Sequence, residues 1–61
     1  MNDVLLKAAD NTIRFMRMAA VELRRIAERA PDICDELRHI ADQLDCDARD
    51  LEQASKGQGE P

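Results

Sequence analysis

The chain has 61 residues, a formal net charge of −4, no Trp or Tyr, and a single Phe. These values exclude a broad aromatic core and leave room for one domain. A core this small rarely contributes more than roughly 3–5 kcal/mol without disulfides, a metal or oligomerisation. Cys34 and Cys46 are too far apart on one helix to form a disulfide, and no signal peptide or membrane-spanning stretch is visible. We therefore expect a reduced, cytoplasmic protein that associates with further copies of itself.

The first half has apolar residues every three and four positions, which predicts a helix over about 3–29. Written as heptads, its seam alternates large and small side chains, as closely packed antiparallel helices require. The a positions are Leu6, Ile13, Ala20 and Ala27, and the d positions are Ala9, Met16, Leu23 and Ala30.

Pro31 is the only breaker between the two halves, and it predicts a turn at about 30–31. A second helix is predicted over about 32–54, with Cys34, Leu37, Ala41, Leu44, Ala48 and Leu51 in its seam. Residues 1–55 then form one helical hairpin, and 56–61 form a disordered tail. The heptad phase continues through the turn without a slip, so one long kinked helix in a coiled-coil oligomer is the alternative.

Each helix carries one apolar stripe, and a lone hairpin would leave half of that stripe in water. Two hairpins close it, which predicts an all-α, antiparallel, homodimeric four-helix bundle. A tetramer is the alternative if Pro31 only kinks a long helix. Asp47 lies beside the seam of the second helix, where we expect it to pair with Arg14 across the hairpin.

Charge is divided unevenly along the chain. Residues 1–30 hold six basic and four acidic side chains, whereas 31–54 hold two basic and eight acidic ones. One explanation is that two adjacent helices pair their charges. The other is that the first half faces a polyanion.

Catalytic and metal-binding patterns are weak. Glu36 and His39 have the Glu-x-x-His spacing of di-iron bundles, but Leu37 and Ile40 point to the core and turn that pair outward. A single His, a single Ser and no Tyr do not suit a hydrolytic triad. We expect no enzyme activity, no metal, no cofactor, no small-molecule substrate and no membrane association.

The outer face of the first helix carries an aromatic residue among cations. Phe15 and Met18 lie away from the seam with Val21 nearby, and the polar residues around them are Lys7, Asn11, Arg14, Arg17 and Arg25. An exposed aromatic ring flanked by guanidinium groups can stack on a base while the cations contact phosphates. The alternative is a wider buried stripe, with Phe15 covering the edge of a helix–helix contact.

The sequence resembles the Rop (repressor of primer) family of colicin-type plasmids over roughly residues 8–48. Asn11 and Arg14-Phe15-Met16-Arg17 resemble the first helix of that family. The second-helix resemblance is carried by Asp32-Ile33-Cys34, Leu37, Ala41-Asp42 and Leu44.

The resemblance implies an antiparallel dimer of hairpins whose first helices bind two RNA hairpins joined through their loops, as in plasmid copy-number control. The family's functional asparagine and phenylalanine fall on Asn11 and Phe15, and its flanking arginines fall on Arg14 and Arg17. Other polar positions of the RNA-binding face are apolar here, at Val4, Ala19 and Ile26. Lys7 and Arg25 can replace the lost charge. The turn is about five residues shorter than in the family.

A second hypothesis is a structural or protein-interaction bundle that does not bind RNA. In it, Phe15, Met18 and Val21 form an apolar patch for a partner helix. The net charge of −4 favours this hypothesis over general affinity for nucleic acid.

Overall fold

The computed structural model describes residues 3–59, which form two long helices packed side by side. Helix α1 spans Asp3–Arg29 and helix α2 spans Cys34–Gly59. The described residues contain no strand. The prediction of an all-α helical hairpin is confirmed, and the chain does not form the single kinked helix.

The connection between the helices is a tight turn over 30–33. The amide of Ala30 donates to the carbonyl of Ala27 (3.3 Å), and the amide of Ile33 donates to the carbonyl of Ala30 (3.1 Å). Pro31 occupies the second position of this four-residue turn, where its fixed φ is favourable. Because Pro31 and Asp32 are used in the turn, α2 begins at Cys34, two residues later than predicted.

Helix α2 ends at Gly59, five residues beyond the predicted end at 54. Lys56 and Gln58 favour helices, and a single glycine lowers helix stability by only about 1 kcal/mol, so nothing before residue 59 forces an end. The helix therefore includes the first four residues of the segment 56–61 that was assigned to a disordered tail. Glu60 and Pro61 lie outside the described residues.

The helix–helix contact is centred on small residues at the a positions. Ala20, Ala41 and Ala48 are fully buried, and Ala27 and Ile13 are nearly so. Ion pairs of Arg17 with Glu52 and of Arg24 with Asp45 mark the antiparallel register of the two helices. That register places Ala20 at the level of Ala48, and Ala27 at the level of Ala41. Methyl side chains at these levels let the two backbones approach closely.

The predicted d positions lie in the seam but are only half-buried. They include Met16, Leu23, Leu37, Leu44 and Leu51. The hairpin measures 47 × 15 × 9 Å between Cα atoms, with a radius of gyration of 14.2 Å. A compact chain of this length has a radius of gyration of roughly 10.5 Å. The hairpin is therefore a slab one helix thick, with no second layer over its leucines.

Enlarging a residue in the alanine contact tests this packing. Ala48→Leu should lower the free energy of unfolding by about 1–3 kcal/mol, because the added atoms have no space between the helices. Ala8→Leu, at an exposed position of α1, should change it by less than about 0.5 kcal/mol. Urea unfolding at one protein concentration measures both, and equal effects would contradict the proposed contact.

Candidate nucleic-acid interface

The outer face of α1 brings together most of the side chains expected to bind RNA. Lys7, Asn11, Arg14 and Phe15 follow one another at spacings of one turn or less, and all four are exposed. Phe15 is 73% exposed. Phe15 therefore does not cover the edge of the α1–α2 contact, and the wider-stripe interpretation is wrong for the hairpin.

A shallow apolar groove continues this face toward the C-terminal half of α1. It has a volume of about 240 Å³ and is lined by Arg17, Met18, Val21, Glu22 and Arg25. Met18 is 68% exposed. The groove thus offers an apolar floor with guanidinium groups at its edge, a chemistry that suits a flat aromatic base next to a phosphate.

Two of the candidate arginines are engaged in ion pairs. Arg17 Nη2 lies 2.8 Å from Glu52 Oε1 on α2, so this side chain is drawn toward the neighbouring helix. Arg25 Nη1 lies 3.0 Å from Glu22 Oε2 one turn away, and both of those side chains are largely exposed. Exposed pairs of this kind are worth roughly 0–1 kcal/mol, so a phosphate can compete for either arginine.

Arg14 and Lys7 differ from those two arginines. Neither forms an ion pair with any side chain in the described part of the chain. Arg14 directly precedes Phe15, and Lys7 lies two helical turns before Arg14. Arg14 therefore adjoins the exposed ring along the chain, and Lys7 lies on the same helix about 12 Å nearer its N-terminus.

Sequence reasoning did not identify the role of Arg24, which pairs with two acidic side chains of the other helix. Its Nη2 lies 2.8 Å from Asp42 Oδ1 and 2.8 Å from Asp45 Oδ2. The hydrogen bond with Asp42, followed by that with Asp45, raises the pKa of Arg24 above its ordinary value. The heptad pattern could have revealed this role, because Arg24 occupies an e position and the e positions of antiparallel helices face each other. Basic side chains of the first half therefore pair with acidic side chains of the second half across the hairpin. This is the explanation of the uneven charge in which two adjacent helices pair their charges.

The expected pair of Asp47 with Arg14 is not formed. Asp47 accepts a hydrogen bond from Gln43 Nε2 at 3.2 Å on its own helix. It occupies a g position, whereas Arg14 occupies a b position. The e–e ion pairs put these two positions on opposite sides of the slab.

Two other properties concern residues 3–59. No group of three or more His, Cys, Asp or Glu side chains in this range is placed to hold a metal ion, and Glu36 and His39 are both exposed. No helix in the same range is long and apolar enough to cross a membrane.

Comparisons of the chain with protein-family models, with curated proteins and with solved structures found no match.

Proposed function

We propose that the protein is a non-enzymatic RNA-binding regulator that works as a homodimer, as the resemblance to Rop implies. Its ligand is a pair of complementary RNA hairpins joined through their loops, of the kind that controls plasmid copy number. The observation that carries this proposal is the 73% exposure of Phe15, the only aromatic residue of the sequence, next along the chain to Arg14. Arg14, and Lys7 two turns before it, form no ion pair with any side chain that the structure describes in residues 3–56. That ring does not pack in the contact between α1 and α2.

Each group on this face has a chemical role in binding folded RNA. The ring of Phe15 stacks on an unpaired base, a contact worth about 1–3 kcal/mol. Arg14 and Lys7 contact phosphates, and the amide of Asn11 offers both a donor and an acceptor to base edges or 2′-hydroxyls. The acidic outer surface of α2 repels RNA and so directs it to α1.

Charge on this face is distributed differently from that in the Rop family. Val4 and Ile26, which fall on lysines of the family, are 80% and 49% exposed and carry no charge. Lys7 and Arg25 provide cations close to those positions, and Arg17 contributes once Glu52 releases it. Binding by positioned cations rather than base-specific pairs is typical of recognition by shape.

A partner protein is the second candidate, favoured by the apolar groove beside Met18 and Val21 and by the net charge of −4. In this case Phe15, Met18 and Val21 contact one face of an amphipathic helix. A heparin or RNA column at low salt separates the two candidates. Retention supports RNA binding, and flow-through of the folded protein supports the protein partner.

Removing the ring tests the RNA proposal directly. In a gel shift at low and moderate salt, the wild type should bind two loop-paired RNA hairpins in preference to either hairpin alone. Phe15→Ala should weaken that binding roughly tenfold or more, because each protein chain loses one stacking contact with a base. Its free energy of unfolding should change by less than about 0.5 kcal/mol, because the ring is exposed. Undiminished binding by the variant would refute the role of Phe15.

The phosphate contacts should appear in the salt dependence of binding. Arg14→Gln should make the slope of log affinity against log salt concentration shallower by about one unit for each protein chain that contacts the RNA. Arg49→Gln, which removes an exposed arginine of α2, is the matched control and should leave the slope unchanged. Equal changes in both variants would mean that net charge alone, and not the α1 face, attracts RNA.

Releasing Arg17 from its partner should strengthen binding. Glu52→Gln abolishes the ion pair while keeping the size of the side chain, so the guanidinium can turn to a phosphate. We expect a severalfold rise in RNA affinity. Glu36→Gln makes the same charge change at an exposed site near the turn and should have little effect. If both variants gained equally, the gain would come from lower negative charge and not from Arg17.

A further inference from the structure

The outer face of α1 carries a carboxylate among the groups expected to contact RNA. Phe15, Met18, Glu22 and Arg25 are all exposed and follow one another at spacings of three or four residues, so they form one outer ridge along the helix. A carboxylate repels phosphates, and Glu22 therefore opposes the general attraction of RNA to this ridge. A favourable contact of Glu22 with RNA must then be made with a hydrogen-bond donor of a base or of a 2′-hydroxyl.

Arg25 orients this carboxylate without using all of its capacity for hydrogen bonds. The side chain of Arg25 donates from Nη1 to Glu22 Oε2 at 3.0 Å. A carboxylate can accept about four hydrogen bonds, and a guanidinium group has five N–H donors. Both members of the Glu22–Arg25 pair therefore keep acceptors and donors for a ligand while each favours one orientation of the other.

Two surface cavities meet at this pair. The groove of about 240 Å³ that includes Met18 lies on its N-terminal side, and a second cavity of about 480 Å³ lies on its C-terminal side. Ile26, which is nearly half exposed, and Arg29 line the second cavity, whereas Glu22 and Arg25 line both. A flat ring that reached Glu22 would therefore lie against apolar side chains, with guanidinium groups at its edge.

Guanine is the base whose hydrogen-bonding groups fit a carboxylate best. Its Watson–Crick edge carries two adjacent donors, N1–H and the N2 amino group, which match the two oxygens of a carboxylate. Adenine and cytosine place an acceptor nitrogen beside their amino group, and uracil places its N–H between two carbonyl oxygens. Those acceptors repel a carboxylate, so an exposed glutamate on an RNA-binding surface favours guanine over the other three bases.

We propose that Glu22 binds the Watson–Crick edge of an unpaired guanine in the RNA, with Arg25 as the residue that positions the carboxylate. The base lies against Met18, whose thioether makes favourable contacts with aromatic rings. Arg25 keeps donors for the guanine O6 or for a neighbouring phosphate. A paired guanine cannot make this contact, because its partner base occupies the same edge. The inference rests on the proposed function and adds one base-specific contact to a surface that otherwise recognises shape.

RNA ligands that differ only in their unpaired bases test this contact. Loop-paired hairpins are made with the unpaired nucleotides beside the loops all guanosine, all inosine or all adenosine. Inosine keeps the N1–H of guanosine but lacks its amino group. In gel shifts the wild type should bind the guanosine ligand roughly tenfold or more tightly than the adenosine ligand, because a good two-bond contact discriminates between bases by about that factor. The inosine ligand should lie between them, and equal affinities for all three would overturn the proposal.

Two variants with the same change of charge assign the preference to one carboxylate. Glu22→Gln should bind all three ligands more tightly, because the protein is less negative, but its ratio of guanosine to adenosine affinity should fall to about one. Glu28→Gln changes the other carboxylate that lines the second cavity and should keep the ratio of the wild type. The ratio is the decisive readout, because net charge affects all three ligands alike. A ratio that survives in Glu22→Gln, or is lost in Glu28→Gln, would overturn the role of Glu22.

Free nucleotides separate this inference from the proposed function. GMP and AMP are titrated to millimolar concentration into isotopically labelled protein and followed by NMR. GMP should shift the signals of Met18, Glu22 and Arg25 in the wild type more than AMP does, and the difference should disappear in Glu22→Gln. Such shifts in a protein that binds no loop-paired RNA would refute only the proposed function. Binding of loop-paired RNA without a preference for guanosine would refute only the contact with Glu22.

Discussion

The close approach of two helices at alanine residues determines the rest of this structure. Ala20, Ala27, Ala41 and Ala48 contribute only methyl groups to the contact, so the backbones come close but little apolar area is buried. Apart from Ile13, which is buried within it, the leucines and isoleucines of both helices lie beside this contact. The thin core and the exposed apolar surface therefore both follow from the alanine residues at the a positions.

The ion pairs give the slab its two different faces. Arg17 and Arg24 both reach acidic residues of α2 on the same side of the alanine contact. Charged side chains cover that side of the contact, whereas the side chains on the other side are mostly apolar. The same pairing uses Arg17 within the hairpin, so the outer face of α1 depends on Arg14 and Lys7 for its first contacts with an anion. Arg17 thus belongs both to the contact between the helices and to the candidate binding surface.

Local sequence patterns predicted much of the fold. The period of the apolar residues gave the two helices, Pro31 gave the turn, and the heptad placed the seam residues correctly. Helix ends were less predictable, because the turn uses Asp32 and Ile33 and because Gly57 does not stop α2. The helices, the turn and the seam depend on neighbours within a few turns of the same helix, which is why the sequence reveals them. The exposure of Phe15 was not fixed in this way, because its heptad position also allowed a wider buried stripe, and the packed hairpin decides between the two.

The amino-acid sequence by itself determined two amphipathic helices, a break at Pro31, and an outer surface of α1 with one aromatic ring among cations. Only the tertiary structure decided which arginines are already paired, that Asp47 and Arg14 lie on opposite sides, and which face of the hairpin is apolar. The reason is that those features depend on the register of residues far apart in the chain. Arg17 meets Glu52 only because the alanine contact places their helices side by side in that register.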